Sequence, residues 1–370
     1  MRSRATAWAV ILLLGWPAGA QYQQAAPGYR YEFPRDHFNH QQFQTEWWYY
    51  TGNLTATDGH RFGFELTFFR EAVDRQEVKP DTWEVRDIYL AHLALSDLDR
   101  GNFFHTERVN RAGPGIAGAG EAEQRIWNGN WKVTWNNGSQ KLEAIEDHFS
   151  VSFTLIPEKP PVIHGENGLS QKAAGTGHAS HYISLTRLRT DGTVELGGKS
   201  YAVSGQAWMD HEFFTAQLAS DQAGWDWVSV QLADHTELML YRMRKKDGSV
   251  DPFSSGTFVD AEGRATHLRS ADFSMTPSGA RWKSAETGAT YPVEWNLGVP
   301  KLGLQLHAKT RLQSQELASK SPVAPSYWEG AVEFSGIRGN TPVEGVGYLE
   351  MTGYDRAVEF GASDKSPINR

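Results

Sequence analysis

The chain has no cysteine among its 370 residues, which excludes disulfides, thiolate metal sites and lipid attachment through a lipobox thiol. It has no apolar run approaching the roughly 20 residues a spanning helix needs; the longest, Ala5 to Leu14, is too short. Positive charge is in deficit, with 36 Lys and Arg against 44 Asp and Glu for a net charge of -8. No basic run offers a phosphate-binding face, so nucleic acid is not an expected partner. The G-x-S-x-G elbow, the H-E-x-x-H helix and the Gly-rich phosphate loop are all missing, which removes the α/β-hydrolase, zinc-protease and nucleotide-binding classes. His37-x-x-His40 and His178-x-x-His181 are spacings that 13 histidines produce by chance. Neither a metal nor a cofactor is expected.

What is present points to strands. Aromatic residues make up 12% of the chain, with 14 Trp, and Gly is plentiful at 36, a composition suited to many short strands joined by turns. Arg2 and Arg4, the apolar run and Ala18-Gly19-Ala20 follow the order of a secretory signal peptide, so residues 1–20 are expected to be removed on export to the periplasm or beyond. Glu46 to Arg70 reads as a hairpin: an aromatic strand, a turn around Asp58-Gly59, then Phe62, Phe64, Leu66 and Phe68 alternating with Gly63, Glu65 and Thr67. Arg70 and Arg187 close apolar strands and suit ion pairs at a barrel end.

A weak repeat divides the chain. Trp47-x-Tyr49 returns as Trp225-x-Trp227, and His181-Tyr182 as Tyr327-Trp328. Val203-x-Gly205-x-x-Trp208-x-Asp210 returns as Val343-x-Gly345-x-x-Tyr348-x-Glu350. A repeated strand series predicts two antiparallel β-barrels in tandem, residues 21–215 and 220–370.

The stretch Val203 to Phe214 concentrates chemistry. In a strand, Trp208, Asp210 and Glu212 share one face, an aromatic ring beside two carboxylates. Such a face suits a pocket that holds or protonates a largely hydrophobic molecule. With a turn at Asp191-Gly192, the strand bearing His181 and Tyr182 becomes its hairpin neighbour, so His181 and Asp210 are expected to face one cavity containing Trp208.

Glu46-Trp47-Trp48-Tyr49, Gly63 to Arg70, His181 to Arg187, Ala207 to Glu212 and Gly347 to Tyr354 together resemble the carotenoid 1,2-hydratase (hydroxyneurosporene synthase) family, in its secreted AttH-type branch. The resemblance covers residues 36 to 356. It implies an all-β fold of two lipocalin-like barrels with a ligand cleft, and acid-catalysed addition of water to a carbon-carbon double bond. His181 and Asp210 match the family's His and Asp, while Ile183 replaces a Trp and Trp208 a Tyr. The expected roles are Asp210 as general acid with His181 orienting it, and, from the strand pattern, Trp208, Tyr182, Glu46, Trp48, Glu212 and Tyr348 against a hydrophobic small molecule. A non-catalytic carrier of a lipophilic molecule, served by a membrane transport partner such as an ABC-type exporter, is the alternative expectation.

Overall fold

The computed structural model describes residues 22–73, 85–319 and 326–358; the expected signal peptide lies outside them. Among the described residues there is no α-helix, only strands and three short 3-10 turns. None of the described helices is long and apolar enough to cross a membrane. The strands form two antiparallel sheets, one of 13 strands and one of 10. The first sheet uses strands up to Lys199–Phe214, and the second begins at Gln222–Leu232.

The first sheet curls into a nearly closed barrel. Its Thr45–Ala56 and Arg61–Ala72 strands form the expected hairpin, paired from Thr45 with Glu71 to Thr55 with Arg61. Gly59 takes the turn at φ 87°, a left-handed conformation that Gly adopts without a Cβ penalty. Trp48, Tyr50, Phe62, Phe64, Leu66 and Phe68 point into the barrel and are wholly buried. In an ordinary barrel the alternate residues would meet water, yet Tyr49, Glu65 and Thr67 are buried too. The second sheet covers them. That sheet is a half-barrel, its path running from Ala265–Arg269 through Glu237–Lys245, Gln222–Leu232, Thr341–Thr352 and Tyr327–Arg338 to Ser274–Lys283.

The repeat is visible in the register. Tyr49 stands opposite Asp210, and Trp227 stands opposite Glu350. One strand further, Ser184 faces Asp210 and Glu329 faces Glu350, so the residue equivalent to Tyr182 is Tyr327 and not Trp328. Repeat-related residues also meet across the interface, Trp47 stacking near Trp225 at 6.4 Å between ring centroids.

The two sheets are joined through buried polar contacts. Tyr49 donates to Glu329 (2.7 Å), Ser96 to Gln315 (2.6 Å), and Gln231 to the carbonyls of Thr186 (2.8 Å) and Ala207 (2.9 Å). Arg187 pairs with Glu237, which Lys159 also meets. At Gly63 the approach is so close that a Cβ would sit 2.7 Å from the Tyr348 hydroxyl and 2.8 Å from Ala331 Cβ.

The hairpin that carries the central stretch differs from expectation in one respect. Its turn is Gly197-Gly198, both at positive φ, a glycine pair suited to the two-residue hairpin turn. Asp191-Gly192 lies within the strand Ala179–Leu196, paired with Ser204 and Val203. Between the turn and His181 the strand carries a bulge, the register shifting between Leu185 and Leu188.

Candidate active site between the two sheets

A cavity of about 650 Å³ opens between the outer face of the barrel and the half-barrel, within the roughly 300–1,000 Å³ typical of small-molecule sites. Trp47, Phe69, Trp225, Trp227, Tyr241 and Met243 give it apolar walls. Asp210, Glu212 and Tyr182 enter from the barrel side, and Glu350 and Tyr327 from the other.

Asp210 is held by three neutral donors. Tyr182 Oη donates to Oδ2 at 2.5 Å, Trp208 Nε1 to Oδ1 at 2.6 Å, and Ser184 Oγ also to Oδ1. Burial is the largest influence on its acidity and pushes the carboxyl up to about 7, with the three donors pulling the other way and Glu212 adding to the rise. Behind these donors stands a second layer. Trp227 Nε1 donates to Tyr182 Oη at 2.9 Å. His164 Nε2 meets Ser184 Oγ at 2.6 Å and its Nδ1 meets Thr257 Oγ1 at 2.8 Å. Because the Ser184 hydroxyl donates to Asp210, Nε2 must carry the His164 proton, and Thr257 must donate to Nδ1. Burial pushes His164 down to about 3, so the ring is neutral and fixed in that tautomer.

Glu212, two residues on along the same face, has a different environment. Lys172 Nζ lies 2.9 Å from its Oε1, and Ser180 donates to the same oxygen at 2.7 Å. Lys172 also sits over the Tyr241 ring, 3.9 Å from its centroid.

Several expected site residues lie elsewhere. His181 pairs with Phe213, which puts its imidazole on the face opposite Asp210, among Tyr29, Tyr31, Phe43 and Phe213. The expected shared cavity of His181 and Asp210 is therefore corrected, and the cause is the bulge. Counted from the Leu196 to Lys199 pair without a shift, His181 would stand opposite Phe214 and share Asp210's face. Trp48 points into the barrel core and donates from Nε1 to the His37 carbonyl, so it does not reach the cavity. Tyr348 packs behind the wall against Ala331 rather than lining it. Trp208 likewise acts through Asp210.

Glu46 belongs to a buried network on the far face of the strand. Its Oε1 accepts from His40 Nδ1 (2.7 Å) and His211 Nε2 (2.8 Å), and its Oε2 from the His40 amide (2.9 Å) and Arg70 Nε (3.0 Å). Arg70 spans onward to Asp87 at 3.0 Å. The ligating atoms of His40, Glu46 and His211 lie within 4.8 Å of one another. Each is already engaged in these hydrogen bonds, which account for the cluster as part of the barrel's interior.

Lys172, His164, Ser184, Trp227, Tyr241 and Tyr327 were not anticipated. Lys172 and His164 sit in a Gly-containing loop whose sequence carries no periodicity, while Trp227 and Tyr327 were visible as members of the repeat.

The fold and the cavity define a lipocalin-like protein of two apposed sheets with a carboxyl site buried between them. The chain belongs to the AttH-like family, whose model matches residues 24–354. It is similar to the crystal structure of a presumed AttH protein from Nitrosomonas europaea, 34% identical with a TM-score of 0.81, covering 90% of this chain and 99% of that one. Kievitone hydratase from Nectria haematococca shares the fold at 17% identity and a TM-score of 0.68, covering 91% and 97% of the two chains. A dehydratase of Emericella nidulans, asqC, is 21% identical over 226 residues, spanning 58% of this chain and 62% of the relative's length.

Proposed function

We propose that the protein is a hydro-lyase that adds water to, or removes it from, a hydrophobic or amphipathic molecule held between the two sheets, with Asp210 exchanging the proton at carbon. The observation that carries this reading is Asp210 itself, a buried carboxyl on the wall of an apolar cavity whose hydrogen-bond donors are all neutral. Burial keeps its proton available near neutrality, and the three donors receive the negative charge once the proton has left. In hydration the π electrons of a carbon-carbon double bond take the Asp210 proton, a water oxygen bonds to the carbocation that results, and the surplus proton on that oxygen passes to surrounding water. In dehydration the hydroxyl takes up a proton and leaves as water, its carbon-oxygen bond breaking as the Asp210 carboxylate removes the proton from the adjacent carbon. Trp225 and Trp227 line the same cavity and supply aromatic rings suited to the cationic carbon. Relatives named as a hydratase and a dehydratase support the same chemistry.

The test is isotope exchange. Phenyl-bearing tertiary alcohols and the matching alkenes are incubated with the protein in heavy water, and deuterium at carbon is read by mass spectrometry. Asp210→Asn, which keeps the shape but lacks the transferable proton, is expected to abolish incorporation while leaving probe affinity within a few-fold. Tight binding with no incorporation by the unaltered protein would instead favour a carrier, which the apolar walls of the cavity equally suit. Residues 1–20 support export, and the intact mass of the mature protein tests cleavage after Ala20.

A further inference from the structure

We infer that Glu350 is a second catalytic residue, the one that handles the oxygen side of the reaction, facing Asp210 from the opposite wall of the cavity. The inference rests on the hydro-lyase reading and adds a residue to it. Its basis is the repeat made structural. Asp210 stands opposite Tyr49 and Glu350 opposite Trp227, equivalent positions of the two sheets, and both side chains line the one cavity between them.

Elimination of water needs two groups: a base for the proton on carbon and an acid for the departing hydroxyl. The walls differ in the sense that divides these roles. Around Asp210 stand the donors Tyr182, Ser184 and Trp208, with Glu212 ion-paired to Lys172 alongside. Around Glu350 stand further acids. Glu329 lies directly opposite in register, Glu65 faces it from the barrel, Asp210 and Glu212 add their fields, and among the described residues the donor is Trp225 Nε1 at 3.2 Å. Burial first, and then the fields of Glu65, Asp210 and Glu212, push Glu350 up to about 8. Donors that stabilise a carboxylate mark Asp210 as the base, and neighbouring acids that disfavour one mark Glu350 as the acid.

In dehydration, Glu350 gives its proton to the hydroxyl, the carbon-oxygen bond breaks with its electron pair leaving on water, and the Asp210 carboxylate takes the proton from the adjacent carbon as the double bond forms. Hydration runs the same steps backwards: Asp210 protonates carbon and Glu350 takes the surplus proton from the attacking water. One proton passes in at oxygen and one passes out at carbon, so the pair regains its starting state by transfer of a single proton from Asp210 to Glu350.

The decisive experiment needs no substrate. The carboxylic carbonyl bands of the full-length protein, of D210N and of E350Q are followed by infrared spectroscopy across the pH range. Asp210 ionises first, so its charge is what Glu350 meets: D210N lowers the Glu350 midpoint by about one pH unit, while E350Q, replacing a group that is still protonated when Asp210 ionises, leaves the Asp210 midpoint near its place. An unmoved Glu350 midpoint in D210N overturns the inference, as does a Glu350 ionised throughout. The deuterium assay separates the two claims. Incorporation lost in D210N but kept in E350Q removes Glu350 from the reaction and leaves the hydro-lyase reading standing. Loss in both, with the Glu350 midpoint lowered in D210N, supports it, and binding without incorporation by the unaltered protein removes both.

Discussion

Replacing Glu46 by Gln separates a structural carboxylate from a ligand-binding one. Glu46 is wholly buried, and both oxygens are shared between donors: His40 Nδ1 and His211 Nε2 on one, the His40 amide and Arg70 Nε on the other. In either amide orientation an NH2 group faces donors, and among the described residues Arg70, itself fully buried, keeps only Asp87 as a carboxylate partner. Breaking one member of a buried charge network costs about 3–5 kcal/mol because the remaining charges stay desolvated. A domain of 150–250 residues moves by roughly 2–4 °C per kcal/mol, so the expected fall in Tm is roughly 10 °C. Urea and thermal unfolding at pH 7, followed by tryptophan fluorescence, measure it. The infrared midpoint of Asp210, on the other face of the sheet, is expected to stay where it is. A loss of stability below about 1 kcal/mol, or a moved Asp210 midpoint, would refute the reasoning. The network also sets an acid limit. The His40, His211 and Arg70 donors hold Glu46 well below the usual carboxylate range despite its burial, so its contribution is present above the unfolded value near 4.5 and disappears only as pH falls through the depressed folded value.

Trp208→Phe removes one of three donors to the Asp210 carboxylate, so the Asp210 midpoint should rise above about 7 by roughly one unit; an unchanged infrared titration would contradict the hydrogen bond. Gly63→Ala adds a methyl 2.7 Å from the Tyr348 hydroxyl, and overpacking of this kind costs about 1–3 kcal/mol, read as a lower Tm with a looser sheet-sheet contact in hydrogen exchange. Glu350, with a folded value near 8 against 4.5 ordinarily, contributes stability that is complete below pH 4.5 and lost as pH rises through 8. Glu350→Gln should therefore flatten the decline in unfolding free energy between pH 5 and 9, and an equally steep decline in the variant would count against the raised value.

The hairpin from Glu46 to Arg70 was legible because period-two alternation and an Asp-Gly turn are local signals, and the face shared by Trp208, Asp210 and Glu212 follows from the same alternation. What sequence could not supply is anything that depends on register across strands. The bulge between Leu185 and Leu188 leaves no mark in the residues, yet it alone turns His181 away from Asp210. Nor does composition reveal that the barrel's outer face is covered. Gly63, Glu65 and Thr67 read as a solvent side, and only the docked half-barrel turns that side into a cavity wall. The repeat did point across the interface, aligning Glu350 with Asp210, although its alignment of Tyr182 was one residue out.

The covalent link between the two sheets has a further meaning when set beside symmetric dimers. Two identical subunits meeting about a twofold axis must present the same group at both equivalent positions. Here the equivalent positions hold Asp210 and Glu350, their neighbours one strand over are Ser184 and Glu329, and each can be altered without altering the other. Tethering thus breaks the symmetry that a dimer would enforce. It allows a proton donor and a proton acceptor to occupy matched places within one chain.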